Sequence, residues 1–289
     1  MLHTPLPFCT RGVSPRLDVV GALAVARGVG LCCNLKPGTQ TGCPHVRIDA
    51  SGLHYRKLNK MVRDAVAAGE RHFELVNVNG QRYIGDGLDE EVTIQIHGTP
   101  GNDLGAFMNG PHITVHGNAQ DGVANTMNRG EIIVHGHAGD VIGYGMRGGR
   151  VFVRGDVGYR VGIHMKAYKT QVPVIIAGGC AGDFFGEYMA GGTLILLGLN
   201  RDGRPLVGDY CATGIHGGEI ILRGQIDEFN IATNHARIAL LDDDQRQALR
   251  SHLHPFCQAF ELDADQVLDD RFYRLTPISH RPFGGNYAT

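Results

Sequence analysis

The hydrophobic pattern divides this chain into one helical stretch, a repetitive stretch of short strands, and a mixed C-terminal region. Between Tyr55 and Ala68, the residues Leu58, Met61, Val62, Ala65 and Val66 recur at i, i+3, i+4, i+7 and i+8. That spacing puts them on one stripe of a helix, with Arg56, Lys57, Lys60, Arg63 and Asp64 on the other faces. From about Phe73 the period changes to two. Val92, Ile94 and Ile96 alternate with Thr93, Gln95 and His97, and Ile113 and Val115 alternate with His112, Thr114 and His116. Alternation rich in β-branched residues predicts strands.

These strands repeat. VTIQIHG ends at Gly98, HITVHG at Gly117, EIIVHG at Gly136 and RVFVRG at Gly155, in steps of 19 residues. VIIAGG (Gly178–Gly179), TLILLG (Gly198) and EIILRG (Gly224) continue the series. A second landmark keeps register: a Gly or Ala three residues before an apolar one. It reads Gly105-x-x-Met108, Ala124-x-x-Met127, Gly143-x-x-Met146, Gly162-x-x-Met165, Gly186-x-x-Met189 and Ala212-x-x-Ile215, spaced 19, 19, 19, 24 and 26 residues apart. The later coils therefore carry insertions, and Gly85-x-x-Leu88 reads as a degenerate first copy. A fixed period near 20 is the mark of a solenoid. We expect an all-β core, a single-stranded parallel β-helix of about seven coils. Each coil is too small to bury its apolar face alone and does so by stacking. The aligned methionines would fill the interior where Gly leaves gaps.

The flanks are expected to close the solenoid's ends, since open strand edges invite pairing. Residues 1–54 read as an irregular extension, 55–72 as a capping helix, 73–226 as the repeat, and 227–289 as a helical cap with a tail. Within that last part, Asp242–Asp244 should cap a helix reaching about His254, where Pro255 interrupts it. A second helix is expected from Ala264 to Asp270 behind Asp263, and PISHRPFGGNYAT reads as extended.

Composition supports this picture. Glycine numbers 42 of 289 residues, about twice the usual ~7%, as a fold of many tight turns requires. A net charge of −2 advertises neither a nucleic-acid nor an anionic membrane surface. The seven cysteines, an odd number with no C-x-x-C, fit a reducing compartment, and a cytoplasmic location is expected. The apolar stretch Val19 to Cys33 contains Arg27, lacks a small-residue cleavage site, and is too short and glycine-rich for a membrane span.

The run GTPGNDLGAFMNGPHITVHGNAQDGVANTMNRGEIIVHG, the segment GDFFGEYMAGGTLILLG and the lead-in NGQRYIGDGL resemble the C-terminal glycine-repeat (GXGXG) domain of the glutamate synthase large subunit. The resemblance covers about Leu58 to Gly224. It implies a right-handed β-helix with a structural role. The glutaminase and FMN/iron–sulfur parts of glutamate synthase have no counterpart here. The chain resembles the free-standing version found in split glutamate synthase-like and N-methylglutamate synthase systems. That implies a scaffold subunit of an oxidoreductase complex in nitrogen metabolism, with a glutaminase-type amidotransferase and an FMN/iron–sulfur synthase as partners. A more distant resemblance, to the formylmethanofuran dehydrogenase chain built on the same repeat, implies a scaffold in a one-carbon complex instead.

The candidate chemistry is weighed against the repeat. Gly143-Tyr-Gly145-Met-Arg-Gly148 is a literal G-x-G-x-x-G, but a strand follows it rather than a helix, and its glycines have copies in neighbouring coils. It reads as turn geometry, not a dinucleotide loop. His97, His116 and His135 take one outward position in successive coils and continue as Arg154, then Arg223. The column could bind metal, face a partner or be a plain surface ladder; ligands stacked in a line do not converge on one ion. Asp183, Glu187 and Asp209 could do acid–base work only in a pocket. Turn aspartates more often bond local backbone. Cys32-Cys33 with Cys43-Pro44 has the wrong spacing for a cluster, so idle thiols are the default. Ser14, Ser51, Ser251 and Ser279 are the only serines, and no nucleophile elbow marks an independent hydrolase. No catalytic, cofactor-binding or metal residue is expected in this chain.

Overall fold

The structure is a computed structural model and describes residues 45–280. Nine strands run parallel in one sheet: β1 (Val46–Asp49), β2 (His72–Asn79), β3 (Thr93–Thr99), β4 (Asn109–Val115), β5 (Arg129–Val134), β6 (Arg150–Val153), β7 (Val174–Ala177), β8 (Ala190–Leu196) and β9 (Gly217–Arg223). From β2 onward each strand is one rung of a parallel β-solenoid. The chain leaves the strand, turns, makes a short second side, then a third side through the G-x-x-M segment. The second side is held by isolated bridges such as Ala119 to Ala138, Val157 to Ala181 and Ala181 to Val207.

The register explains the core. Phe73, Ile94, Ile113, Ile132, Val151, Ile175, Leu194 and Ile220 lie side by side across β2–β9, as do Leu75, Ile96, Val115, Val134, Val153, Ala177, Leu196 and Leu222. Both rows point into the solenoid and are buried. Met108, Met127, Met146, Met165, Met189 and Ile215 close the interior from the third side, each with no exposed surface.

That third side has its own backbone rule. Residues at alternate positions take positive φ: Asp103, Gly105 and Phe107; Gly122, Ala124 and Thr126; Val141, Gly143 and Gly145; Arg160, Gly162 and His164; Phe184, Gly186 and Tyr188. The alternation sends hydrogen bonds both ways along the stack. Gly143 N–H donates back to Val123 O (2.8 Å), while Val141 and Gly145 N–H donate forward to Tyr159 O (2.8 Å) and Ile163 O (2.9 Å). The middle residue must also be small. A Cβ on Gly105 would lie 2.7 Å from Ile132 Cδ1, and one on Gly162 2.6 Å from Leu194 Cδ1. Ala124 is an exception, and the facing register position there is Val151 rather than Ile, one δ-methyl shorter.

The flanks differ in part from the sequence expectation. Helix α1 (Tyr55–Ala67) forms as expected and buries Leu58, Val62 and Val66 in the solenoid core. Residues 46–49, expected to be irregular, instead form β1 alongside β2; residues 1–44, including Cys9, Cys32, Cys33 and Cys43, lie outside the described residues. The C-terminal region is not purely helical. It adds two antiparallel strands, β10 (Ala236–Leu240) and β11 (Phe272–Pro277), and the sheet order ends β9-β11-β10.

Between those strands lie α2 (Asp243–Ala248), α3 (Arg250–Phe260) and α4 (Ala264–Leu268). Asp242 caps α2 in a reciprocal box with Gln245, and Asp263 caps α4. The helix does not end at Pro255. The break comes earlier, at Leu249, and α3 runs through the proline because Leu253, Phe256, Cys257 and Phe260 are all buried against the sheet. Packing there outweighs the lost backbone bond. The expected extended tail starts inside β11, and residues 281–289 lie outside the described residues.

The C-terminal helices cover half of the sheet's outer face. The outward row runs Glu74, Gln95, Thr114, Ile133, Phe152, Ile176, Ile195, Ile221. It turns from polar to apolar at β5, and from β6 on it forms a second core with Leu249, Leu253, Phe256, Phe260 and Val267.

Candidate functional site

The repeat glycines Gly98, Gly117, Gly136 and Gly155 sit where the chain leaves each rung, closely stacked on the coil before. A Cβ on Gly117 would lie 2.6 Å from Gly98 O, and one on Gly136 2.7 Å from Gly117 O. Gly198 and Gly224 turn the later rungs with φ +57° and +82°. The backbone N–H groups of Gly143 and Gly145 in the G-x-G-x-x-G are consumed by the neighbouring coils. They are not free to cradle a phosphate as a dinucleotide loop does.

The turn carboxylates serve the same stack. Asp121 Oδ1 accepts from Asp140 N–H (3.0 Å), Asp140 Oδ1 from Tyr159 N–H (2.9 Å), and Asp183 Oδ1 from Asp209 N–H (2.9 Å). A parallel ladder runs from Asn118 through His137 and Asp156 to the N–H of Cys180. These bonds reach the next coil rather than the local turn. Glu187 is nearly buried and pairs with Arg160 Nε at 2.9 Å. Burial pushes the Cys180 and Cys257 thiols up and Cys211 up to about 12, so these three are poor nucleophiles at neutral pH.

His97, His116 and His135 do form a column. The His97 and His116 rings stack at 4.7 Å and 12°, and His116 and His135 at 5.3 Å and 15°. His97 also approaches Glu74 Oε1 (3.4 Å), and His116 Nε2 lies 2.8 Å from Gln95 Oε1. The column does not run uncovered along the solenoid. His135 meets the edge of Phe260 at 5.3 Å, and Arg154 stays exposed. Gly178 takes the next position, under Phe256. Arg223 is folded into the cap, donating to Val267 O (2.8 Å) and pairing with Asp270 (3.3 Å). Only His97, His116 and Arg154 remain as exposed partner-facing candidates.

Partial burial and the neighbouring His97 lower the His116 pKa; burial and Arg154 lower that of His135. A depressed imidazole pKa favours the folded state above the unfolded value of about 6.5 and loses that advantage as pH falls below it. The melting temperature is therefore expected to drop between pH 7 and pH 5 by more in the natural chain than in a His116→Gln variant. Equal pH slopes in differential scanning calorimetry would remove the effect.

The surface that sequence reasoning missed lies on the third side. Outward side chains of the positive-φ segments meet from coil to coil: Tyr144 edge-on to His164 (5.8 Å), His164 stacked on Tyr188 (5.6 Å), Phe184 stacked on Tyr210 (5.1 Å), with Arg160 over Phe184 at 4.6 Å. Phe107, Tyr144, Tyr159 and Tyr210 are exposed. The signal was present in the residues in and just before the landmark segments, where Phe107, Tyr144, Phe184, Tyr188 and Tyr210 fall. Among the described residues no group of three His, Cys, Asp or Glu side chains could hold a metal ion. No helix there is long and apolar enough to cross a membrane.

With this geometry in hand, residues 65–278 match the GXGXG motif family. The chain belongs to that family. An uncharacterized protein of Methanocaldococcus jannaschii is 46% identical over 256 residues, covering 86% of this chain and 98% of the relative. In structure, the chain is similar to a chain of the formyltransferase/hydrolase complex of Methylorubrum extorquens, solved with methylofuran. The TM-score is 0.53, with 22% identity over 70% of this chain and 72% of that one. The likeness shows a shared fold.

Proposed function

We propose that this chain is the structural β-solenoid subunit of a hetero-oligomeric oxidoreductase of the glutamate synthase type. Glutamine hydrolysis, FMN and iron–sulfur clusters would reside on its partners. The observation that carries this reading is the match to the GXGXG family over residues 65–278 in a chain whose motif backbone is committed to coil-to-coil bonds. A stack tied together on all three sides is stiff and can hold partner domains at fixed separation. The stacked aromatic surface around Tyr144 and Tyr210 is the docking face, since exposed aromatics and Arg are what interfaces enrich. The exposed residues His97, His116 and Arg154 form a second, polar contact.

A second reading is a scaffold in a one-carbon formyl-transfer complex, favoured by the likeness to the Methylorubrum extorquens structure. Affinity purification of the tagged full-length chain separates the two. The first expects a co-purifying flavoprotein with glutamine-dependent glutamate formation; the second expects a formyltransferase- or hydrolase-type partner. A chain recovered alone sinks both. The Tyr144→Ala/Tyr210→Ala double variant is expected to lose at least tenfold in partner recovery while melting as the natural chain does. Unchanged recovery would move the docking face elsewhere.

A further inference from the structure

Strand β10 ends the sheet, and its outer edge carries open backbone groups. Leu241 N–H donates to Phe272 O (2.8 Å) and Ile278 N–H to His235 O (3.0 Å). In an antiparallel ladder these two bonds fix the alternation between them. Arg237 and Ala239 bond to β11, so the N–H and C=O of Ile238 and Leu240 point away from the sheet. The N–H of Ala236, third in that set, is turned back onto Ala232 O (3.0 Å). No other strand among the described residues pairs with this edge. Edges are normally blunted by Lys, Pro or a bulge. Between 236 and 240 the sequence ARIAL has no Lys, Pro or bulge and a single charge, Arg237, and Leu240 is 58% exposed.

We propose that this edge pairs with β10 of a second copy of this chain, antiparallel about a two-fold axis through Ala239. That register places Ile238 opposite Leu240 of the second copy, and Leu240 opposite its Ile238. Each pair exchanges two N–H···O bonds, so the four open N–H groups of the two strands are all satisfied. The side chains match as well. Ile meets Leu twice on the inner face, covering the exposed Leu240. The small Ala239 meets itself at the axis, where close approach is required.

Charge also fits. Arg237 makes no ion pair among the described residues. It stands opposite Leu241 of the second copy, with that copy's Asp243 two residues further on at the start of α2; the Asp243 carboxylate pairs with Arg246 at 2.9 Å and is still 90% exposed. The long Arg237 side chain can join that pair across the contact, and symmetry makes the contact twice. An unrelated strand would supply hydrogen bonds but not this threefold match of shape, apolarity and charge. The contact is isologous and closes on itself, using up the β10 edge of both copies.

The test uses the purified full-length chain. Analytical ultracentrifugation is expected to show a dimer. Facing residues in a non-hydrogen-bonded pair have Cα atoms about 4.5 Å apart, within disulfide reach. Ala239→Cys is therefore expected to give a disulfide-linked dimer on mild oxidation, with the natural chain run alongside to report any link through its own cysteines. Leu240→Pro removes an outward N–H, which an edge strand tolerates, together with the Leu240 side chain from the contact, and is expected to shift the dimer to monomer. Should that variant unfold, Arg237→Asp gives the same readout. A monomeric natural chain, or an Ala239→Cys variant that cross-links no more than the natural chain, overturns the proposal.

Discussion

Gly143→Ala is expected to destabilise the fold by about 2–5 kcal/mol in urea unfolding. Two terms add. Gly143 has φ +67°, and an L-residue there costs about 1–2 kcal/mol. The new methyl would also overlap Ile175 Cδ1 of a later rung, and overpacking a close-packed core costs about 1–3 kcal/mol. The two terms separate by a second change. In the Ala124 coil nature has already accepted the methyl, and the facing register position is Val151. Ile175→Val alone should cost about 0.5–1.5 kcal/mol. Combined with Gly143→Ala it should cost less than the sum by roughly 1 kcal/mol, because the lost δ-methyl is the one in the way. Strict additivity would mean that backbone strain, not side-chain overlap, decides the identity of the middle residue. Conversely, Val151→Ile should destabilise the chain and be rescued by Ala124→Gly.

This coupling shows what the sequence could and could not reveal. The 19-residue step and the G-x-x-M landmark were legible because each coil repeats the same constraint, so several weak signals reinforce one another. The exchange of Gly143 with Ile175 for Ala124 with Val151 was also written there, but only the register pairs those residues.

The outer cover was legible in principle. HITVHG alternates, whereas VIIA (Val174–Ala177) and LILL (Leu194–Leu197) are unbroken apolar runs, and a strand buried on both faces reads as a continuous apolar run. What was not legible is which segment supplies the cover. Strands β1, β10 and β11 are too short to show a period, and their place follows from partners far along the chain: Phe272 beside Arg223, Val46 beside Phe73. The His column illustrates the same limit. Its stacking followed from the repeat, but its ending at Phe260 depends on a helix that Pro255 was expected to interrupt.

Phe256→Ala, the second large effect, tests whether that cover belongs to the fold or merely rests on it. Phe256 has no exposed surface. Its ring meets Phe152 at 5.8 Å and Phe260 at 4.9 Å, both edge-on, and sits over Gly178. In the preceding coils that position holds His97, His116, His135 and Arg154, so the glycine opens a clearing into which the ring drops. Truncating a buried Phe costs about 3–5 kcal/mol, and here the vacated space lies between two layers that only side chains hold together. The expected result is a loss of that size together with new binding of a hydrophobic dye, as Ile176, Ile195 and Ile221 become accessible. Phe229→Ala, at a ring that is 90% exposed, should change stability by no more than about 0.5 kcal/mol. A small loss at Phe256 without dye binding would mean that the helices lie on the solenoid as an appendage. A large loss makes them the wall that turns an apolar strand face into core, with the polar face of β2–β4 and the aromatic side left open to other proteins.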